Sequence, residues 1–199
     1  VAATPGAAVK LRRWSFALLI AAIVLQWALP AQLAWRSASV LRDGTRYYLR
    51  TAPVDPADAF RGRYIALRFA DAQTTLPASG DVEAGTTVYV PLIVGKDRFA
   101  RFGAASLTPP ARGDYLRALI ASVDSGGRAT LQLPFDRYYL DESVAAAADR
   151  AYRAANRSGA PSEAYVTIRV HDGDAVLESL FIDNQPIRRY LDAQAKASG

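Results

Sequence analysis

The stretch WSFALLIAAIVLQWALPAQLAW, residues 14–35, carries no charge and only three clearly polar side chains, Ser15, Gln26 and Gln32. As a helix rising 1.5 Å per residue it measures roughly 33 Å, enough to cross a hydrocarbon core of about 30 Å. The chain has 199 residues, about half of them apolar, so one packed core plus this appendage is the expected organisation. The boundary is placed at Gly44, with residues 1–44 an N-terminal segment and transmembrane helix and residues 45–199 a single domain.

A secretory signal peptide is the competing reading, because Lys10, Arg12 and Arg13 form a basic region ahead of the apolar run. The run exceeds the usual 7–15 residues and no small-x-small cleavage pattern follows it, which favours an uncleaved anchor. Pro30 removes one helical hydrogen bond and favours a kink, a defect that membrane spans tolerate. Trp14 and Trp35 bracket the run at the depth where amphipathic rings prefer to lie. Helix is predicted to continue through RSASVLRD and stop at Gly44, read as a left-handed residue beyond the helix end. Arg36, Arg42 and Arg46 after the span balance the basic residues before it. Because long downstream domains cross largely regardless of charge, the expected orientation is N-terminus in the cytoplasm and domain outside, on a bacterial inner membrane with a periplasmic domain.

The net charge of +5 suggests nucleic acid only until its location is considered. Three of the 24 Lys and Arg precede the span, and the 21 that remain face 19 Asp and Glu. That balance lacks the concentrated basic patch that phosphate binding needs, so no nucleic-acid partner is expected. Cysteine is absent, which excludes disulfides and thiolate metal sites.

After Thr45 the pattern is mostly β. Eight short runs rich in β-formers, 45–54, 62–72, 86–95, 97–107, 114–124, 128–135, 164–172 and 175–182, are separated by turn residues. Gly95-Lys96-Asp97, Asp124-Ser125-Gly126-Gly127 and Asp172-Gly173 mark three hairpins. About eight strands at this spacing imply an antiparallel sheet curled or folded onto itself. One main packing helix is predicted over 141–159, capped by Asp141 and closed by Gly159, with Val144, Ala147, Ala148, Ala151, Tyr152 and Ala155 on its core face and an Asp149–Arg153 pair on the wet side. A shorter helix follows Pro186. The fold class is therefore α+β: a single transmembrane helix, then a β-rich antiparallel domain.

The chain writes Arg-Gly-charged-Tyr twice, at 61–64 (RGRY) and 112–115 (RGDY), each time ahead of an apolar run. Glycine supplies a backbone angle that side chains with a Cβ avoid, so both copies read first as tight turns into strands. Alternation then puts Tyr64, Ala66 and Arg68 on one face and Ile65, Leu67 and Phe69 on the other.

The segment DPADAFRGRYIALRF, residues 55–69, resembles the signature of the GDYXXLXY family of membrane-anchored bacterial proteins. The match lies at Gly62, Tyr64 and Leu67, with Arg63 where the family has Asp and Phe69 where it has Tyr. In the second copy Gly113, Asp114 and Tyr115 restore Gly-Asp-Tyr, but Ala118 stands where the family has Leu. Residues 127–159 are also similar to a second region of the family, in which an RYFVPEG-like string follows a strand and leads into a helix. The resemblance implies a membrane address and an integral membrane protein as partner, and it implies no particular reaction. Arg63 reverses the charge of the family's Asp, so no role of that Asp carries over to this position.

Three chemistries find candidate residues in this chain. The order of Ser37 or Ser39, then Arg61-Gly62-Arg63, then Lys96 is similar to that of signal peptidases, whose Lys acts as base only when burial depresses its pKa. Lys96 instead occupies an apparent hairpin tip, and the Met-x-Pro-Thr context is missing, so no catalytic residue is assigned. The lone His171 sits in HDGD, which reads as a hairpin turn rather than a metal site. Neither a metal nor a cofactor is expected. Arg-aromatic clusters are the better contact candidates, above all Arg46, Tyr47, Tyr48 and Arg50, suited to membrane lipid, and Arg137, Tyr138 and Tyr139. Gln26 and Gln32 are the expected contacts to a partner helix. The function these features favour is a non-enzymatic accessory subunit of a multi-pass membrane protein. An envelope glycan- or lipid-binding module is the alternative, recognisable by a groove lined by Tyr and Arg.

Overall fold

The computed structural model describes residues 5–53, 64–76, 82–124, 126–157 and 163–197. Two compact units divide at Ser39/Val40. The first consists of most of helix α1, Pro5–Asp43, which runs unbroken through Pro30. Residues Leu18–Asp43 of this helix are long and apolar enough to cross a membrane.

The second unit is antiparallel throughout its strand ladders. One sheet has the order β1-β9-β10-β11, from β1 (Thr45–Arg50), β9 (Ala164–His171), β10 (Asp174–Ile182) and β11 (Gln185–Pro186). A two-stranded ribbon pairs β2 (Tyr64–Ala66) with β8 (Arg137–Tyr139). A five-stranded sheet has the order β3-β7-β6-β4-β5, from β3 (Gln73–Thr75), β7 (Arg128–Gln132), β6 (Tyr115–Val123), β4 (Thr87–Val94) and β5 (Ala100–Phe102). This sheet curls back on itself. The Tyr89 and Ser106 backbones exchange two hydrogen bonds, and the Ala105 amide donates to the Thr75 carbonyl at 3.0 Å, so segment 103–106 links β4 to the far edge strand β3. The curled, antiparallel α+β domain is thus the expected one. Its described part contains eleven strands rather than about eight, because β3, β8 and β11, of two or three residues each, lie outside the eight predicted runs and are too short to show in periodicity.

Period-two burial runs through these strands: β6 buries Leu116, Ala118 and Ile120, β4 buries Val88 and Val90, and the motif segment buries Ile65, Leu67 and Phe69 while Arg68 is exposed. Each Val, Leu, Ile or Phe among them contributes roughly 1.5–3 kcal/mol on burial. All three predicted hairpins form, β4–β5, β6–β7 and β9–β10. In the last, Asp172 (φ 48°) and Gly173 (φ 83°) take the paired positive angles of a two-residue turn, which accounts for the HDGD string structurally. A second turn of this kind at Asp183-Asn184 (φ 50° and 62°) joins β10 to β11 and escaped the sequence reading.

Helix α2 covers Glu142–Ala155 and helix α3 Ile187–Ala197. The alanine-rich α2 has high intrinsic helicity, and its core stripe is Ala145, Ala148, Asp149, Tyr152 and Ala155. This corrects the expected face: Val144, Ala147 and Ala151 are only half-buried, and Asp149 turns inward to 9% exposure. Asp149 keeps its predicted partner, accepting from Arg153 Nε at 2.9 Å. The expected cap is also corrected in detail, since the Asp141 side chain makes no capping bond and is held by Arg188 Nη2 at 2.7 Å. Asn156, not Gly159, ends the helix; its amide donates to the Tyr152 carbonyl and its Oδ1 accepts from Thr51 Oγ1 at 2.8 Å. Gly159 lies outside the described residues.

Gly44 likewise has a different reason from the expected one. It is not in the left-handed region; a Cβ there would stand 2.4 Å from the Val40 carbonyl and 2.9 Å from the Val170 carbonyl. Close approach of the helix end to β9 requires the glycine.

Candidate functional site

The two copies of the repeated string come to very different places. In the second, Gly113 has φ 82°, as a turn into β6 demands. Asp114 then accepts a 2.8 Å hydrogen bond from the Tyr47 hydroxyl on β1. Burial, with the Asp114 bond second, pushes the Tyr47 phenol up to about 12. Tyr115 meets Tyr89 edge-on at 5.7 Å and covers Gly173, whose Cβ would lie 2.5 Å from the ring. Next to it the Arg117 amide donates to the Gly173 carbonyl at 2.9 Å. Gly-Asp-Tyr here sews the β9–β10 hairpin and β1 to the five-stranded sheet.

The first copy lies on the ribbon. Gly62 is outside the described residues, and Tyr64, Leu67 and Phe69 begin and follow β2. Register pairs Tyr64 with Tyr139, Ile65 with Tyr138 and Ala66 with Arg137, so the family string and the second family-like region are one ribbon. The Leu67 amide continues the pairing to the Asp136 carbonyl at 2.8 Å. Tyr138 packs on the core, whereas Tyr139 is 66% exposed. On the outer face the Tyr64 and Tyr139 rings stand 5.8 Å apart and the Arg137 guanidinium lies 5.0 Å over Tyr64. A hydrogen bond with Tyr139, and then the Asp136 charge, raise Arg137 above its ordinary value. From behind, α2 presses Tyr152 against Thr51 and the Arg68 backbone, and burial pushes that phenol up to about 12.

A cleft of about 620 Å³ opens beside this segment. Leu67, Phe69, Leu131 and Leu133 supply its apolar floor, and Arg68, Gln73, Gln132 and Asp136 its polar rim. Its far wall includes Ala121, at the bulge that shifts the β6–β7 register. Sequence reasoning missed these rim residues. Alternation had put Arg68 outward, but nothing in the chain announces that two exposed glutamines from β3 and β7 face the same opening.

The RYYLR cluster is committed within the domain. Arg46 binds Glu178 through two bonds of 2.7 and 2.6 Å, and Arg169 adds a third at 3.2 Å while holding the Gly44 carbonyl at 3.0 Å. Burial alone would raise the Glu178 carboxyl, but these guanidinium bonds outweigh it and hold the group below its ordinary value. Arg50 lies 4.3 Å over Phe99 and reaches Glu163 at 3.3 Å. Half-buried Tyr48 packs 6.0 Å from Tyr165.

Within the first unit, Gln26 and Gln32 are exposed. At 3.6 residues per turn, Gln26, Leu29, Gln32, Leu33 and Arg36 fall within about 120° of one another. Leu29, Pro30, Gln32, Leu33 and Arg36 line a notch of about 520 Å³. Pro30 has no N–H, so the Gln26 carbonyl loses its usual helical partner. The Ser39 hydroxyl donates to the Arg36 carbonyl at 2.8 Å, and Lys96 is exposed in the β4–β5 turn. His171 is exposed beside Asp172 at 3.6 Å, and among the described residues no group of three or more His, Asp and Glu could hold a metal ion.

A family model described as GDYXXLXY protein matches residues 26–180. No curated protein and no solved structure matches the chain significantly.

Proposed function

From the premise that this chain belongs to the GDYXXLXY protein family, we propose that it is a membrane-anchored, non-enzymatic accessory subunit of a multi-pass membrane protein. The observation that carries the reading is the notched, glutamine-bearing face of α1. Two amide side chains and the Gln26 carbonyl stand at bilayer depth, where an unsatisfied polar group is costly and a neighbouring helix supplies the hydrogen bonds. The notch at Pro30 admits a side chain of that neighbour. In this reading the anchor sits in a bacterial inner membrane with its N-terminus cytoplasmic and its domain periplasmic, as expected for a long domain after a single span.

The non-enzymatic part rests on where reactive groups are spent. The Ser39 hydroxyl is committed to a carbonyl of its own helix and the Lys96 amine stands in water, so neither has the environment of a Ser/Lys peptidase. Purification of the tagged chain from its native membrane in mild detergent tests the proposal. A multi-pass protein is expected in fixed ratio with the wild-type chain and is expected to be lost from a Gln26→Leu, Gln32→Leu variant. Recovery of the wild-type chain alone at every detergent strength overturns it.

A further inference from the structure

The geometry points to a neutral-glycan site made of the outer face of the β2–β8 ribbon and the cleft that the same segments line a few residues further on. This goes beyond the accessory-subunit reading and rests on different residues. Three observations carry it.

First, the ribbon displays a pre-ordered aromatic platform. Tyr64 and Tyr139 are cross-strand partners with rings 5.8 Å apart, and Arg137 braces them from 5.0 Å over Tyr64. Tyr139 leaves two-thirds of its surface open, 66% by area. A flat, exposed phenol offers its face to the C–H side of a pyranose ring and its hydroxyl to the ring's edge, at little cost in side-chain freedom.

Second, the segment that carries Tyr64 goes on to line a concavity. Tyr64, Ala66 and Arg68 share one face of one extended segment, so the cleft rim at Arg68 lies two same-face steps, about 13 Å, beyond Tyr64, within the reach of a trisaccharide. At about 620 Å³ the cleft falls within the range of small-molecule sites. Its floor of Leu67, Phe69, Leu131 and Leu133 suits the apolar underside of a sugar, while Gln73 and Gln132 offer both donors and acceptors to hydroxyls.

Third, the charges are compensated. Asp136 stands 3.8 Å from Arg137, and Asp136 and Arg68, of opposite charge, both line the cleft. A rim that mixes amides with cancelling charges favours a neutral polyhydroxylated ligand over a phosphate or carboxylate, which needs an uncompensated cationic cluster.

The test is titration calorimetry of the purified full chain in detergent micelles with maltotriose, cellotriose and chitotriose, and with inorganic phosphate as the anionic comparison. Saturable binding of at least one trisaccharide is expected. Tyr139→Ala and Gln132→Ala are each expected to weaken it about tenfold with an unchanged melting temperature, because both side chains are exposed and neither supports the core. No heat from any of the three sugars, affinity indifferent to both substitutions, or binding of phosphate alone overturns the proposal. The chain for this titration is produced alone in a heterologous host and so carries no native partner, which makes this outcome independent of co-purification.

Discussion

Tyr64 and Tyr115 follow the same Arg-Gly-charge string, and the fold uses them in opposite ways. Tyr115 is packed between Tyr89 and the Gly173 backbone, with Asp114 beside it tied to Tyr47. Tyr64 lies on a two-stranded ribbon against an exposed tyrosine, on a segment whose later residues Leu67, Arg68 and Phe69 line a cleft. A repeated string therefore reports a repeated local need, a turn into a strand, and says nothing of what the strand is for. The neighbour across the ladder decides that.

The contrast can be broken most severely at Gly173. Alanine there meets both a φ of 83° and a Tyr115 ring 2.5 Å from its Cβ, so a loss of about 3 kcal/mol is expected in denaturant unfolding of the full chain in detergent. Gly113→Ala serves as control. It shares the positive φ but has open space around it, and about 1 kcal/mol is expected. Equal losses from the two would show that Tyr115 does not hold the junction.

Tyr47→Phe leaves Asp114 without its donor and is expected to cost about 1 kcal/mol. The same pair has a pH signature. A phenol whose folded pKa is raised to about 12 contributes stability that is fully present below its ordinary value of 10 and is lost as pH rises from there through 12. The wild-type chain should therefore lose stability over that interval, and Tyr47→Phe should lose less; the remainder includes Tyr152, raised by burial to the same region, and Tyr165, which burial also raises. Identical alkaline profiles in melting experiments would remove Tyr47 from the junction.

The smallest effect is expected at the ribbon. Tyr139→Ala should change stability by no more than about 0.5 kcal/mol, since the ring is largely exposed. A loss as large as that of Tyr47→Phe would make the two regions alike after all, both of them structural.

Much of the architecture was readable in the chain because it depends on near neighbours. The apolar run before Gly44, the alternation at 64–69 and the glycine turns at 126–127 and 172–173 each express a local period or a backbone angle. Periodicity places the face of α2 one position off, because small alanines all round the helix weaken the hydrophobic contrast, and burial of Asp149 depends on an Arg153 bond. The reason for Gly44 is not legible locally, since the Val170 backbone that crowds it is far away in sequence. The candidate site was half visible. Tyr64 and Tyr139 were both singled out, but their pairing and the cleft of Gln73 and Gln132 arise from strands that share no sequence signal.

By itself the amino-acid order determined that one segment is oily enough for lipid, that the rest alternates as half-buried strands, and where those strands turn. These are properties of successive residues, set by sterics and by transfer of side chains from water. Only the tertiary structure decided that Arg46 is spent on Glu178, that one Gly-Asp-Tyr became a seam and that its near twin opened on a cleft. Such outcomes depend on which distant groups meet across a ladder, and contact over long loops is chosen by the packing of the whole core.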